Sequence, residues 1–162
     1  MDDSFRPFGE NTSIITHKEK HMPTYTTDIL ISTSPQAAWD LLSNVAAWAD
    51  WLPTITSIKP LDGPALKPDS RFEIVQPKLQ PATWTVTLVE PPHRFIWESR
   101  LPGVYTVGDH LIEELRPGTV KVTLSIAFSG FLSSLIGLFY GALTQTYIET
   151  EAQTLKRKLE AA

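Results

Sequence analysis

Cysteine is absent from all 162 residues. That excludes disulfides, thiolate nucleophiles and cysteine-ligated zinc or iron–sulfur centres. No long run of cations occurs either, and the net charge is −4. A nucleic-acid groove must displace counterions with clustered Lys and Arg, so no nucleic-acid partner is expected. The four histidines, His17, His21, His93 and His110, are scattered along the chain. No H-x-x-x-H, H-E-x-x-H or G-x-S-x-G pattern and no glycine-rich phosphate loop occurs, so the residues support neither a metal site nor a cofactor. Asp40, Asp50 and Asp109 show no spacing that would make a carboxylate dyad. Residues 1–22 lack the apolar stretch of a secretory signal. Residues 1–23 read as a disordered or loosely packed lead-in to one domain over 24–162, and a cytoplasmic location is the default.

Proline and tryptophan are plentiful, at 13 and five residues. Many prolines imply short elements joined by stiff turns. Thr24–Ser32 is rich in β-branched residues and reads as a strand. Ser34-Pro35 then supplies a cap and a first-turn proline for a helix, and Val45–Trp51 forms a second short helical turn that ends at Pro53. Six further strands are expected at Thr54–Lys59, Arg71–Gln76, Thr83–Glu90, Phe95–Leu101, Val104–Glu114 and Thr119–Phe128. Proline and glycine turns separate them, so neighbours should pair antiparallel. Trp84, Val86 and Leu88 alternate with threonines, and Val120 to Phe128 alternates likewise, so one face of the sheet is buried and the other wet. Arg71, Glu73, Glu98 and Arg100 fall on the wet parity and should form cross-strand ion pairs.

Phe131–Ala161 reads as a helix roughly 45 Å long. No charged residue occurs between Lys121 and Glu149, which raises the question of a membrane span. The pattern argues against one. Leu132, Leu135, Ile136, Phe139, Tyr140, Leu143 and Tyr147 share one side of a helical wheel, whereas a span would be apolar all round. Ile148, Ala152, Leu155 and Leu159 lie nearly opposite that stripe. Either the helix bends between Gly141 and Ile148, or its halves bury different faces.

This order of elements describes an α+β helix-grip architecture: a curved antiparallel sheet of about seven strands around the C-terminal helix, with two short helices after the first strand. Particular residues carry a family resemblance: Ile31-Ser32-Thr33-Ser34-Pro35 with Ala38-Trp39; Trp48 with Trp51-Leu52-Pro53; Ser70–Phe72, lacking the usual glycine; Trp84-Thr85-Val86 through Glu90-Pro91-Pro92; and Phe95-Ile96-Trp97. Gly108-Asp109-His110 with Ile112, Phe128-Ser129-Gly130-Phe131-Leu132, and Leu155-Lys156 with Leu159-Glu160 complete the set. In these segments, over Tyr25 to Glu160, the chain resembles the polyketide cyclase/dehydrase and lipid-transport superfamily, also called START-like or SRPBCC. The resemblance implies a cavity between sheet and helix that takes a hydrophobic small molecule. One such fold hosts many functions, so the site is argued from its own residues.

His110 shares strand parity with Ile112 and so faces the cavity if Ile112 is buried. There it could move protons or hydrogen-bond a ligand. Trp84 and Trp97 present two indoles on the same side, suited to a flat or isoprenoid ligand. Phe72 and Gln76 share the inward parity of Ile74, while Phe139, Tyr140 and Leu143 come from the helix stripe. Trp39, Trp48 and Trp51 are expected to seal the end of the core. Two functions follow. The first is a cofactor-free cyclase, dehydratase or isomerase of secondary metabolism, acting on a polyketide- or terpenoid-like intermediate with His110 as its acid–base group. The second is a carrier or sensor that leaves its lipid, quinone or sterol-like ligand unchanged. The residues favour the enzyme slightly, as a monomer or homodimer without an integral membrane span.

Overall fold

Ser34 starts the first helix: its hydroxyl accepts the backbone N–H of Ala37 at 3.1 Å, and Pro35 occupies the first turn. The computed structural model describes residues 22–162. Strand β1 (Thr24–Ile31) leads into α1 (Pro35–Ser43) and a 3-10 segment, Val45–Asp50. Then come β2 (Ser57–Pro60), β3 (Arg71–Val75), β4 (Ala82–Glu90), β5 (Arg94–Leu101), β6 (Val104–Arg116) and β7 (Thr119–Ser129), followed by α2 (Ser133–Glu160). Most of the expected lead-in lies outside the described residues. Of its end, the Pro23 carbonyl accepts the Phe128 N–H at 2.9 Å, and the Pro23 ring lies beside Gly137.

The sheet is antiparallel throughout, in the order β1-β7-β6-β5-β4-β3-β2. Consecutive strands pair as hairpins except β1 and β2, which are the two edges. The chain must cross from one edge to the other, and α1 with the 3-10 segment makes that crossing. It plugs one end of the curved sheet as it does so. Trp39, Leu42, Val45 and Trp48 enter the core on this path.

The register of β4 shifts between Val86 and Leu88. A bulge inserts a residue and reverses the alternation beyond it. Leu88 was expected on the apolar parity; instead Val89 packs against the core and pairs with Phe95. The ion pairs also differ from expectation. Arg71 holds Asp62 at 2.9 Å, and Arg100 reaches Glu98 on its own strand at 3.2 Å. Cross-strand pairing is made by Arg94 with Asp109 at 2.6 Å and by Lys121 with Glu113 at 2.7 Å.

The phase of α2 corrects the sequence reading. The helix is continuous, and its packed line runs Ser133, Gly137, Gly141, Ile148, Ala152 and Leu155 along β1 and β7. There is one buried face over the whole length, not two. Small residues decide it. Tyr25 of β1 donates its hydroxyl to the Gly137 carbonyl at 3.2 Å and lies so close to Gly141 that a Cβ there would sit 2.8 Å from its Cζ. That approach turns the large side chains of the expected stripe away from the sheet. Leu135 is half exposed and Phe139 is 71 % exposed.

Gly141→Ala should therefore destabilise the protein although alanine is the better helix former. The propensity gain of about 1 kcal/mol is outweighed by overpacking of about 1–3 kcal/mol. Thermal unfolding should show a lower Tm, and the loss should shrink in a Tyr25→Phe background. A raised Tm would refute this account of the helix phase.

Candidate functional site

Inward positions of β5, β6 and β7 line up in layers. Phe95, His110 and Leu124 form the first; Trp97, Gly108 and Ile126 the next; Ser99, Thr106 and Phe128 the third. Leu101 and Val104 form the last. Opposite them α2 presents Ile136, Tyr140, Thr144, Tyr147 and Glu151, spaced at three or four residues on one helix face. Between the two walls lies a cavity of about 350 Å³. Gln76, Leu79 and Gln80, around the β3–β4 loop, line a third side. Gln80, Leu101 and Tyr140 are the exposed lining residues and mark its open side.

His110 sits at the closed end, 5 % exposed. Its ring stacks on Phe95 with centroids 4.1 Å apart and planes within 10°. Trp48 and Trp97 each lie 5.5 Å from it, by centroids. His110 Nε2 faces Glu151 Oε1 at 3.4 Å, and that glutamate side chain is 13 % exposed. The carboxylate and the ring nitrogen thus lie side by side at the closed end, without a hydrogen bond between them. An imidazole, a neighbouring carboxylate and an aromatic enclosure together are the side-chain types that general acid–base chemistry uses.

Four buried polar atoms on cavity-lining residues have no hydrogen-bond partner among the described residues: Trp97 Nε1, Ser99 Oγ, His110 Nδ1 and Glu151 Oε1. Native interiors leave few polar atoms unpaired, and here they gather around one site. The Trp97 indole is seated by Gly108: a Cβ at that position would lie 2.5 Å from Trp97 Nε1. Tyr147 donates its hydroxyl to the Pro77 carbonyl and so ties α2 to the β3–β4 loop. Burial pushes the Tyr147 phenol above its ordinary pKa, which keeps it a donor.

Of the residues singled out in the sequence, Gln76, Trp84, Trp97, His110 and Tyr140 line the cavity. The Gln76 amide donates to the Thr54 carbonyl at 3.3 Å. Phe72, Phe139 and Leu143 do not line it. Phe72 is fully buried in the core opposite Trp84, while Phe139 and Leu143 follow from the misjudged helix phase. Trp48, assigned to sealing the core, is also part of the cavity wall, its N–H bonded to the Leu42 carbonyl at 3.0 Å. Glu151 was missed because it stands in the charged C-terminal half of α2. Its signal is the spacing Tyr140, Thr144, Tyr147, Glu151.

Residues 22–161 match the family profile described as polyketide cyclase / dehydrase and lipid transport. The chain belongs to this family. Solved structures agree on the fold. A hypothetical protein of Helicobacter pylori is 12 % identical with a TM-score of 0.73, the alignment covering 98 % of this chain and 99 % of that one. The Zhui aromatase/cyclase of a Streptomyces species is 15 % identical with a TM-score of 0.70, over 86 % and 94 % of the two chains. Norcoclaurine synthase of Thalictrum flavum, solved with dopamine and hydroxybenzaldehyde, is 11 % identical with a TM-score of 0.69, over 95 % of each chain. None of the curated proteins matches by sequence. Like those neighbours, this polyketide cyclase/dehydrase and lipid-transport family member grips its long helix in a curved seven-stranded sheet. No described helix is long and apolar enough to cross a membrane. No three His, Asp or Glu side chains among the described residues converge on a possible metal position.

Proposed function

We propose that this family member is a cofactor-free cyclase, dehydratase or isomerase acting on a hydrophobic polyketide- or terpenoid-like intermediate held in the cavity. The buried His110–Glu151 pair at its closed end carries the proposal. A purely storage cavity gains nothing from a carboxylate and an imidazole enclosed among indoles, since burying them costs solvation. Trp48, Trp84 and Trp97 restrict the folded shapes a flexible intermediate can take, which is how a cavity favours one ring closure over others. His110 then removes a proton from an acidic carbon of the substrate and returns it to an oxygen. The Glu151 carboxylate stabilises the imidazolium in between. In a dehydration the returned proton leaves with the hydroxyl as water, and no further reactant is needed.

The decisive experiment starts from the compound that co-purifies with the protein from native cells. It is extracted, identified by mass spectrometry and incubated with the stripped protein. Conversion to a product that has lost water, or to an isomer of changed retention, is expected. Stoichiometric rebinding without chemical change would replace this reading with that of a carrier for a hydrophobic ligand.

A further inference from the structure

With the cavity on one side of α2, the opposite side has an unusual surface. No charge occurs between Lys121 and Glu149, and Gly137 and Gly141 of α2, packed against Tyr25 of β1, set the helix phase, so large apolar side chains are left in solvent. Phe131, Leu135, Leu138 and Phe139 are 79 %, 50 %, 76 % and 71 % exposed. Phe131, Leu135, Leu138 and Ala142 follow one another by four, three and four residues, the spacing of a seam that packs against another helix. Ser134 and Ala142 are small and exposed, which permits close approach. Phe131 lies against Gly103 in the β5–β6 turn, where the neighbouring Leu101 is half exposed. Together these side chains expose roughly 600 Å² of apolar surface, at the upper limit for a monomer's largest patch and close to one partner's share of a stable interface.

We propose that this face is the interface of a homodimer in which two copies pack the N-terminal halves of α2 across a twofold axis. The charge pattern selects this occupant. A helix that lies on a bilayer carries Lys or Arg on its polar flank to meet the headgroups; the first three turns of α2 have none, and the net charge of −4 repels an anionic surface. A charged protein partner would find no counter-charge on the ridge. A second copy brings an equally uncharged seam, and the same patch meets itself across the axis.

Sedimentation velocity of the full chain over a concentration series tests the assignment. The wild type should sediment as a dimer. Leu138→Glu and, separately, Phe131→Ser should raise the dissociation constant by about thirtyfold or more, with unchanged circular dichroism. A wild type that stays monomeric up to about 100 µM overturns the proposal, as does a dimer unaffected by both substitutions. Loss of the native spectrum in both variants would place these side chains inside the fold and overturn it too. A monomer that floats with phosphatidylcholine vesicles assigns the face to lipid instead.

Discussion

Replacing His110 by alanine is expected to lower turnover by about 10²-fold or more, the usual scale for a lost acid–base group. Ligand binding should stay within about threefold, because the aromatic walls supply most of the contact area. Trp48, Trp84 and Trp97 surround the cavity, so bound ligand should change tryptophan fluorescence and give the binding arm of the comparison. Glu151→Gln keeps the size of the side chain and removes its charge. It should also reduce turnover, by less than His110→Ala, since the ring remains but loses its electrostatic partner 3.4 Å away. A wholly structural histidine would behave differently: the alanine variant would melt lower, and its folded fraction would keep full activity.

Trp48→Ala should produce the largest loss of stability of any single truncation considered. The indole is 1 % exposed and touches Trp51, Phe95, Trp97 and His110 with ring centroids between 5.4 and 6.4 Å. Its N–H also satisfies the Leu42 carbonyl at the end of α1. Removing a buried tryptophan costs about 3–5 kcal/mol. For a domain of this size that corresponds to a fall in Tm of roughly 10–15 °C. Calorimetry of the purified variant would show it, and a shift of only a few degrees would mean that the crossing from β1 to β2 does not hold the core together. The exposed Phe139→Ala should leave Tm nearly unchanged by comparison.

Most strands were legible from the proline or glycine at their ends, with alternation added in β4 and β7; β2 was not placed as well, since it runs Ser57–Pro60 rather than Thr54–Lys59 and includes the proline expected to close it. Layer partners were legible too: the parity of Ile112 placed His110 on the inward side, and the structure puts the ring in the cavity wall. What the sequence hid was the rotation of α2. Hydrophobicity pointed Leu135 and Phe139 inward, but close approach to Tyr25 needs a residue with no side chain, and Gly137 and Gly141 provide that. Tertiary fit overruled the apolar stripe. Glu151 was hidden for the same reason, because its partner comes from a strand more than thirty residues earlier and no local pattern links them. The bulge in β4 left no mark either, since Leu88 and Val89 are equally apolar and either can face the core.

The strand register also acts as a ruler. From His110 to Val104 along β6 there are six residues, and an extended strand advances about 3.4 Å per residue. His110 and the open side are thus on the order of 20 Å apart along the strand. A short molecule can reach His110 only by leaving the outer layers unfilled, and a longer one trails past Leu101 and Tyr140 while its head is at the histidine. Ligand length is therefore measured in steps of two residues, one layer at a time, and a bulky side chain placed at Thr106 or Ser99 should shorten the molecule that still reaches His110.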